Sequence, residues 1–409
     1  MEWRWLVVCV LLGEYAFQGF LHVRSLQSES RPVPENVRHV YGKKKYRTWK
    51  AYHRESTRLS LVTDTVMLAV SLGLFLSNAY ARLLPEGITG MYLPAFLVLL
   101  TDTLFKLLPQ LATAWYENFH LEARYGFNRM TKKTFVRDQV LELVLGMLLT
   151  TALLFAFIFL HAQMGDWILV LFTVFLMLLG LGLTFLYPYF SRIFNKFTPL
   201  EEGELRTRLT DMLRKNGYQV RDVMVMDASR RSTKSNAYFT GFGKSKTIVL
   251  YDTLVQAMEP DEICAVFAHE MGHGLHKDTL KRQGESLGKF LAMALCFWGL
   301  THAESLYAAF GFSGMNYGFL FLYGSVLFEA LSSLVLDMIS NALSRRAEYR
   351  ADAHAVREGY GKALISGLTK LSRENMANLS PDPWVVRLSY SHPTLSQRID
   401  AIEKGSIPA

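Results

Sequence analysis

Three cysteines in 409 residues are too few for a disulfide framework, and Cys9, Cys264 and Cys296 follow no metal-ligand spacing. Cys9 and Cys296 fall inside apolar runs and read as small packing groups rather than nucleophiles. Charge is also scarce. Only 20% of the residues are Asp, Glu, Lys or Arg, and none lies in WILVLFTVFLMLLGLGLTFLYPYF, from Trp167 to Phe190. An all-apolar helix of that length does not suit a soluble core, and it is long enough to cross a bilayer. Neither an internal repeat nor a low-complexity tract is present, so a repeat array is excluded.

What the chain does have is apolar length. Six further runs resemble the first, at about 3–23, 60–80, 92–112, 139–161, 287–310 and 315–339, giving seven expected spans. Most contain an ionisable residue: Glu14, Asp64, Asp102, Lys106, Glu142, Glu329 and Asp337. A charge at the centre of a membrane helix costs at least roughly 2.5–3.5 kcal/mol. These groups should therefore face one another or a wet interior, with Glu142 and Asp337 close to the headgroups. Lys and Arg set the orientation. Residues 26–59 hold nine of them and about 113–138 hold five, whereas 162–166 and 311–314 hold none. This alternation places the N-terminus outside and the C-terminus on the cytoplasmic side. Reading MEWRWLVVCVLLGEYAFQG as a signal peptide would export the nine-charge loop, so a first span fits better. The net charge of +8 follows from these loops and points to membrane orientation, with no nucleic-acid partner expected.

Four segments result: five membrane helices with basic cytoplasmic loops over 1–190, a soluble insertion at 191–286, two more spans at 287–339, and a soluble tail at 340–409. In the insertion, Leu205, Leu209, Met212 and Leu213 share one side of a helix. VRDVMVMDA, NAYFTGF and KTIVLYD read as short strands. After Pro260, DEICAVFAHEMGHGLH reads as a helix with Asp261 and Glu262 in its first turn.

That helix carries the chemistry. His269 and His273 are four residues apart and share a face, so both imidazoles can reach one ion. Glu270 lies about 100° round the helix, placed to reach a water on the ion without binding the ion itself. Zinc uses such sites and keeps one position open for water or substrate. Apolar Ala265–Ala268 precede the motif, as suits a buried active-site helix. A third ligand is required, and H-E-x-x-H-x-x-G-x-x-H does not supply it: His276 stands where that pattern needs glycine, and Thr279 where it needs histidine. His276 is expected beside the site rather than on the ion. A later helix, NALSRRAEYRADAHA, offers Glu348, with Asp352 on the same face to orient an imidazole from behind. Position alone leaves Glu348 open between a ligand and an ordinary surface ion pair.

EARYGFNRMT, FNKFTPLEEGEL, STKSNAYFTGFGKSKTIVLYDTL, AHEMGHGLHKD, SRRAEYRAD and SYSHPTLSQRI run in this order over most of the chain. Together they resemble the type I CAAX prenyl protease family of membrane zinc endopeptidases. The resemblance implies a mainly α integral membrane protein. About seven transmembrane helices would enclose a water-filled chamber, capped on the cytoplasmic side by a zincin-like protease domain with a small β-sheet. It implies one zinc ion per chain on His269, His273 and Glu348, with Glu270 as base and Asp352 behind a zinc histidine. Asn236 and Tyr238, in SNAYFTG, would lie along the edge strand that receives a peptide. His392 in SHP and Arg398 become candidates for holding substrate or the developing oxyanion, Asn236 and His392 acting with Glu270. The expected partners are peptides, prenylated C-terminal CAAX peptides among them, and membrane lipid. The chain is shorter than the eukaryotic members and ends EKGSIPA, without a lysine-rich retrieval signal, which fits a prokaryotic member. The expected location is then the plasma membrane, or the endoplasmic reticulum membrane in a eukaryote.

Two other readings stay open. A heat-shock-type quality-control protease shares H-E-x-x-H and a later glutamate, but has about four spans and lacks YGFN and SHP. A seven-span receptor, channel or transporter would not explain Glu270 beside two ligands.

Overall fold

The computed structural model describes residues 2–233, 236–240 and 245–405. Long helices form where the apolar runs place them. They begin with α1 (Glu2–Gln27), α2 (Lys43–Leu76), α3 (Tyr92–Tyr116), α4 (Lys132–Met164) and α5 (Ile168–Phe194). The soluble insertion then contains β1 (Phe197–Pro199), α6 (Glu204–Lys215), β2 (Gln219–Met226), β3 (Ala237–Thr240), β4 (Ser245–Tyr251) and α7 (Pro260–Leu275). The chain returns to the membrane in α8 (Asp278–Thr301) and α9 (Tyr317–Leu331). Beyond them lie α10 (Asp337–Arg357), α11 (Gly361–Glu374), α12 (Pro383–Ser389) and α13 (Leu395–Lys404).

Among the described residues, five helical stretches are long and apolar enough to cross a membrane: those built on α1, α2, α3, α4, and on α9 with its continuation to Arg357. α5 adds the apolar stretch Val170–Leu183. α8 places Asp278, Lys281, Arg282 and Glu285 in its first turns, so only its later part is apolar. A π turn at Ser332–Leu336 joins α9 to α10 without a break. The last span therefore runs directly into the helix that carries Glu348, and the extra residue of the π turn rotates the face that α10 presents.

At one end of the membrane part, Phe75, Tyr80, Phe310, Phe319 and Tyr323 interlock edge-to-face or tilted, with centroids 5.0 to 6.1 Å apart in their closest pairings. α9 approaches α3 so closely that any side chain at Gly318 would collide with the Ala95 carbonyl, the small-residue contact that membrane helices favour. The polar groups of the spans pair across helices or along one helix. Asp102 accepts from the Tyr80 hydroxyl at 2.8 Å and meets Lys106 Nζ at 2.8 Å. His22 Nε2 lies 3.1 Å from Asp64, and Lys289 meets Asp337 at 2.5 Å.

The sheet order is β1-β2-β4-β3, with β2 and β4 parallel and both outer pairs antiparallel. β3 is thus an edge. The short strand β1 has no counterpart in the sequence reading, because three residues ending in proline carry no strand signal. α7 is buried from Glu262 through His269, in a core that includes Leu209, Ile248, Leu364 and Ile399. Val37, Val40, Tyr41 and Trp49, from the first basic loop and the start of α2, belong to the same core.

Candidate metal centre

The start of α7 is fixed by reciprocal capping between Glu259 and Glu262 with Pro260 at the first helical position. The buried Glu262 also accepts from Ser366 Oγ and Lys370 Nζ on α11, each at 2.6 Å. Those bonds outweigh the cost of burial and hold its carboxyl below the usual range. α7 then packs against α10 at very close range. A Cβ at Gly272 would stand 2.9 Å from the Ala351 Cα and 3.0 Å from the His354 Cβ. The glycine between the two histidines is what lets α10 deliver Glu348 to them.

The rings of His269 and His273 stand at 89°, with centroids 4.8 Å apart. Their Nε2 atoms face the Glu348 carboxylate at 3.5 and 3.3 Å. Behind the rings, His269 Nδ1 lies 2.9 Å from Asp352 Oδ1 and His273 Nδ1 lies 3.0 Å from Asp278 Oδ2. Each imidazole can donate its Nδ1 proton backward, which leaves both Nε2 lone pairs directed at a common point. Glu348 Oε2 is buried, and no described donor reaches it with hydrogen-bond geometry.

Residues His269, His273 and Glu348 therefore form a group fit to hold a metal ion. Ligands at roughly 2.0–2.1 Å from a tetrahedral zinc stand about 3.4 Å from one another, which matches the 3.3 and 3.5 Å separations here. Without an ion, burial works against a charged His269, but the Asp352 and Glu348 carboxylates more than offset it and push the imidazole up to about 9. A cation at the same point would supply that positive charge instead.

Of the other predicted residues, Arg398 is deeply buried. It donates to both Asp352 oxygens, at 2.9 and 2.6 Å, and its Nη1 lies 3.5 Å from Glu348 Oε2. Its guanidinium is committed behind the ligands. His392 Nδ1 lies 3.0 Å from Glu348 Oε2 while its side chain remains 64% exposed, so it reaches the site from the solvent side. Asn236, Glu270 and His392 line one cleft together with His269, His273 and Glu348. Tyr238 is not brought there; it packs with Met226, Ala228 and Val249 on the other face of the edge strand, as strand alternation from Ala237 requires.

The sequence reading missed Asp278. Lys277, in the left-handed region at φ 55°, ends α7 and folds Asp278 back under His273. Arg350 Nη2, from α10, lies 3.0 Å from the other oxygen of Asp278. Burial works against the charged carboxylate, yet His273 and Arg350 hold it below its usual range. Its only signal in the sequence is an acid just past the motif.

Comparison with known proteins identifies relatives over nearly the whole chain. Residues 199–406 match peptidase family M48, and residues 22–196 match the family described as CAAX prenyl protease N-terminal, five membrane helices. An Oryza sativa protein named CAAX prenyl protease 1 homolog is 31% identical over 420 residues, spanning 97% of this chain and 96% of its own. A probable CAAX prenyl protease 1 from Schizosaccharomyces pombe is 32% identical over 98% of this chain and 88% of its own. The crystal structure of S. mikatae Ste24p superposes with a TM-score of 0.92 at 26% identity, over 98% of this chain and 99% of that one.

Proposed function

The chain belongs to peptidase family M48 and is a membrane metalloprotease, and we propose that it uses one zinc ion to cleave prenylated C-terminal CAAX peptides. The observation that carries this reading is the donor set: two Nε2 atoms and a buried carboxylate converging on one point, with both rings backed by aspartates. Two relatives that span nearly the whole chain are named for CAAX prenyl proteolysis, which supports the substrate class.

His269, His273 and Glu348 would hold the ion. Bound zinc supplies a Lewis acid for the scissile carbonyl and lowers the pKa of a water. Glu270 takes the proton of the attacking water and returns it to the leaving amine. His392, at the open edge of the cleft, stabilises charge developing on the carbonyl oxygen. Asn236 lies at the start of the edge strand, along which an extended peptide can pair its backbone. Asp352, held by Arg398, orients His269, and Asp278 orients His273 in the same way. Residues 191–286 and 340–409 are assigned to the protease domain, whose core the first basic loop joins, and the lysine and arginine distribution supports a cytoplasmic position for it.

Metal analysis of the purified protein, combined with mass spectrometry of its products from a farnesylated C-a-a-X peptide, tests this. The expected result is about one zinc per chain and zinc-dependent release of the terminal tripeptide. Degradation of unfolded membrane proteins without tripeptide release would replace the CAAX reading with that of a quality-control protease.

A further inference from the structure

A second cavity lies within the membrane part, between α4, α5, α8 and α9, far from the metal centre. Its walls are apolar: Phe157, Phe172, Phe290, Met293, Phe297 and Phe321. Apart from Thr173 on α5, its polar groups gather at one end. There the Tyr317 hydroxyl and His161 Nδ1 are hydrogen-bonded at 2.7 Å, beside Thr301 and Asp166. Trp167 and Trp298 stand at that same end, 75% and 44% exposed. Tryptophans of this kind sit at the membrane–water interface. The cavity therefore has the polarity of one lipid leaflet, with an interfacial rim and a hydrocarbon interior.

Its depth agrees. Leu153 to His161 on α4 and Phe290 to Thr301 on α8 bound the cavity. At 1.5 Å per residue these spans are about 12 and 16 Å, close to half of a hydrocarbon core of about 30 Å. The rim also lies at the far end of α4 from the protease half. Asp138 on α4 meets Arg231 of the soluble insertion at 2.9 Å, and His161 lies about 35 Å further along the helix. A chain entering at that rim comes from the leaflet opposite the metal centre, not from a peptide held beside His269.

We propose that this cavity is a binding site for one acyl chain of a membrane phospholipid, with its glycerol end at the His161–Tyr317 rim and its methyl end between Phe290 and Met293. The chain would fill the space among four helices, two of which, α8 and α9, lead directly to Asp278 and Glu348.

The test uses the purified full-length protein in detergent, incubated with a phosphatidylcholine that carries a diazirine near the end of one acyl chain. After irradiation, cross-linked peptides are mapped with and without excess unlabelled lipid, and with excess farnesylated peptide. We expect labelling concentrated on the Phe290–Phe297 segment and around Phe321, displaced by unlabelled lipid and unaffected by the farnesylated peptide. Ala294→Trp fills the cavity and should lower that labelling roughly fourfold for every methylene it excludes. Labelling spread evenly over outward residues such as Leu148 and Leu291 would overturn the proposal. Displacement by the farnesylated peptide would overturn it too, assigning the cavity to the substrate's prenyl group. Should Ala294→Trp not fold, the wild-type map and the two competitions still decide.

Discussion

The metal centre and the membrane part both bury ionisable groups, and they satisfy them in opposite ways. At the metal centre the aspartates behind the two histidines have partners from neighbouring helices. Asp352 is held by Arg398 and His269, and Asp278 by His273, Arg350 and Lys281. The contact that allows this, Gly272 against Ala351, leaves no room for adjustment. In the membrane part the groups form small local pairs or triads, such as His22–Asp64, whose side chains are 24% and 37% exposed. Buried charges deprived of one partner cost several kcal/mol, whereas exposed pairs contribute little. The difference teaches where function is sensitive: substitutions at the centre should act on chemistry and metal, and those in the chamber mainly on stability.

The largest effect should come from Glu270→Gln, which removes the proton acceptor and keeps the shape. We expect hydrolysis to fall by about 10²–10⁴, with zinc content by metal analysis unchanged. Glu348→Ala should instead lose the metal along with activity. Normal zinc in Glu348→Ala would show that the third ligand is elsewhere. Retention of a tenth of the activity by Glu270→Gln would remove Glu270 from the role of base.

Next comes the packing. Gly272→Leu forces α7 and α10 apart at the point where Ala351 and His354 touch the glycine. Overpacking of this kind costs about 1–3 kcal/mol, which for a domain of this size corresponds to a fall in Tm of several degrees. Because the strain moves Glu348 away from both histidines, zinc affinity should drop as well. A Tm loss with zinc affinity intact would mean that the glycine serves folding alone.

Asp278→Asn should act more gently. The amide can still accept from His273 but no longer carries the charge that pairs with Arg350, so zinc affinity should fall about 10- to 100-fold. Competition with a chelator measures this directly. An unchanged affinity would make Asp278 a partner of Arg350 only.

How far the sequence discloses the two regions follows the same division. His269, Glu270 and His273 are legible because a helix converts a spacing of four into a shared face. The apolar runs are legible because bilayer thickness sets a length. Among the described residues five of the seven expected spans are helices long and apolar enough to cross, α5 adds a shorter apolar stretch, and α8 is not among the five. Glu348 lies 75 residues past His273, so composition alone left it between ligand and ion pair; only the family blocks decided. Asp278 was hidden because its role depends on the left-handed turn at Lys277, which is not a residue type that announces one. Arg398 lines the cleft as the sequence suggests, but its pairing with Asp352 depends on a fold contact that the sequence does not announce. Tyr238 stands beside Asn236 in SNAYFTG, but Asn236 precedes the strand and lines the cleft with Ala237, while alternation turns Tyr238 to the opposite face from Ala237.

The smallest effect should come from the membrane part, and it tests the comparison from the other side. The Tyr80 hydroxyl donates to Asp102, which Lys106 also neutralises. In Tyr80→Phe the carboxylate therefore keeps its cation and loses one hydrogen bond, while the ring stays in its aromatic cluster beside Phe75 and Phe319. A net hydrogen bond contributes about 0.5–1.5 kcal/mol, so thermal unfolding should shift by a few degrees at most, with kcat and zinc content unchanged. Lys106→Met is the sharper companion, since it leaves Asp102 near hydrocarbon with only a hydroxyl for a partner and should cost more than Tyr80→Phe. Equal and small costs for the two variants would mean that Asp102 is solvated by chamber water, which would strengthen the view of a wet interior. A loss of kcat in Tyr80→Phe, with Tm and zinc intact, would instead place this pair in contact with the substrate, and the division between a chemical centre and a supporting chamber would no longer hold.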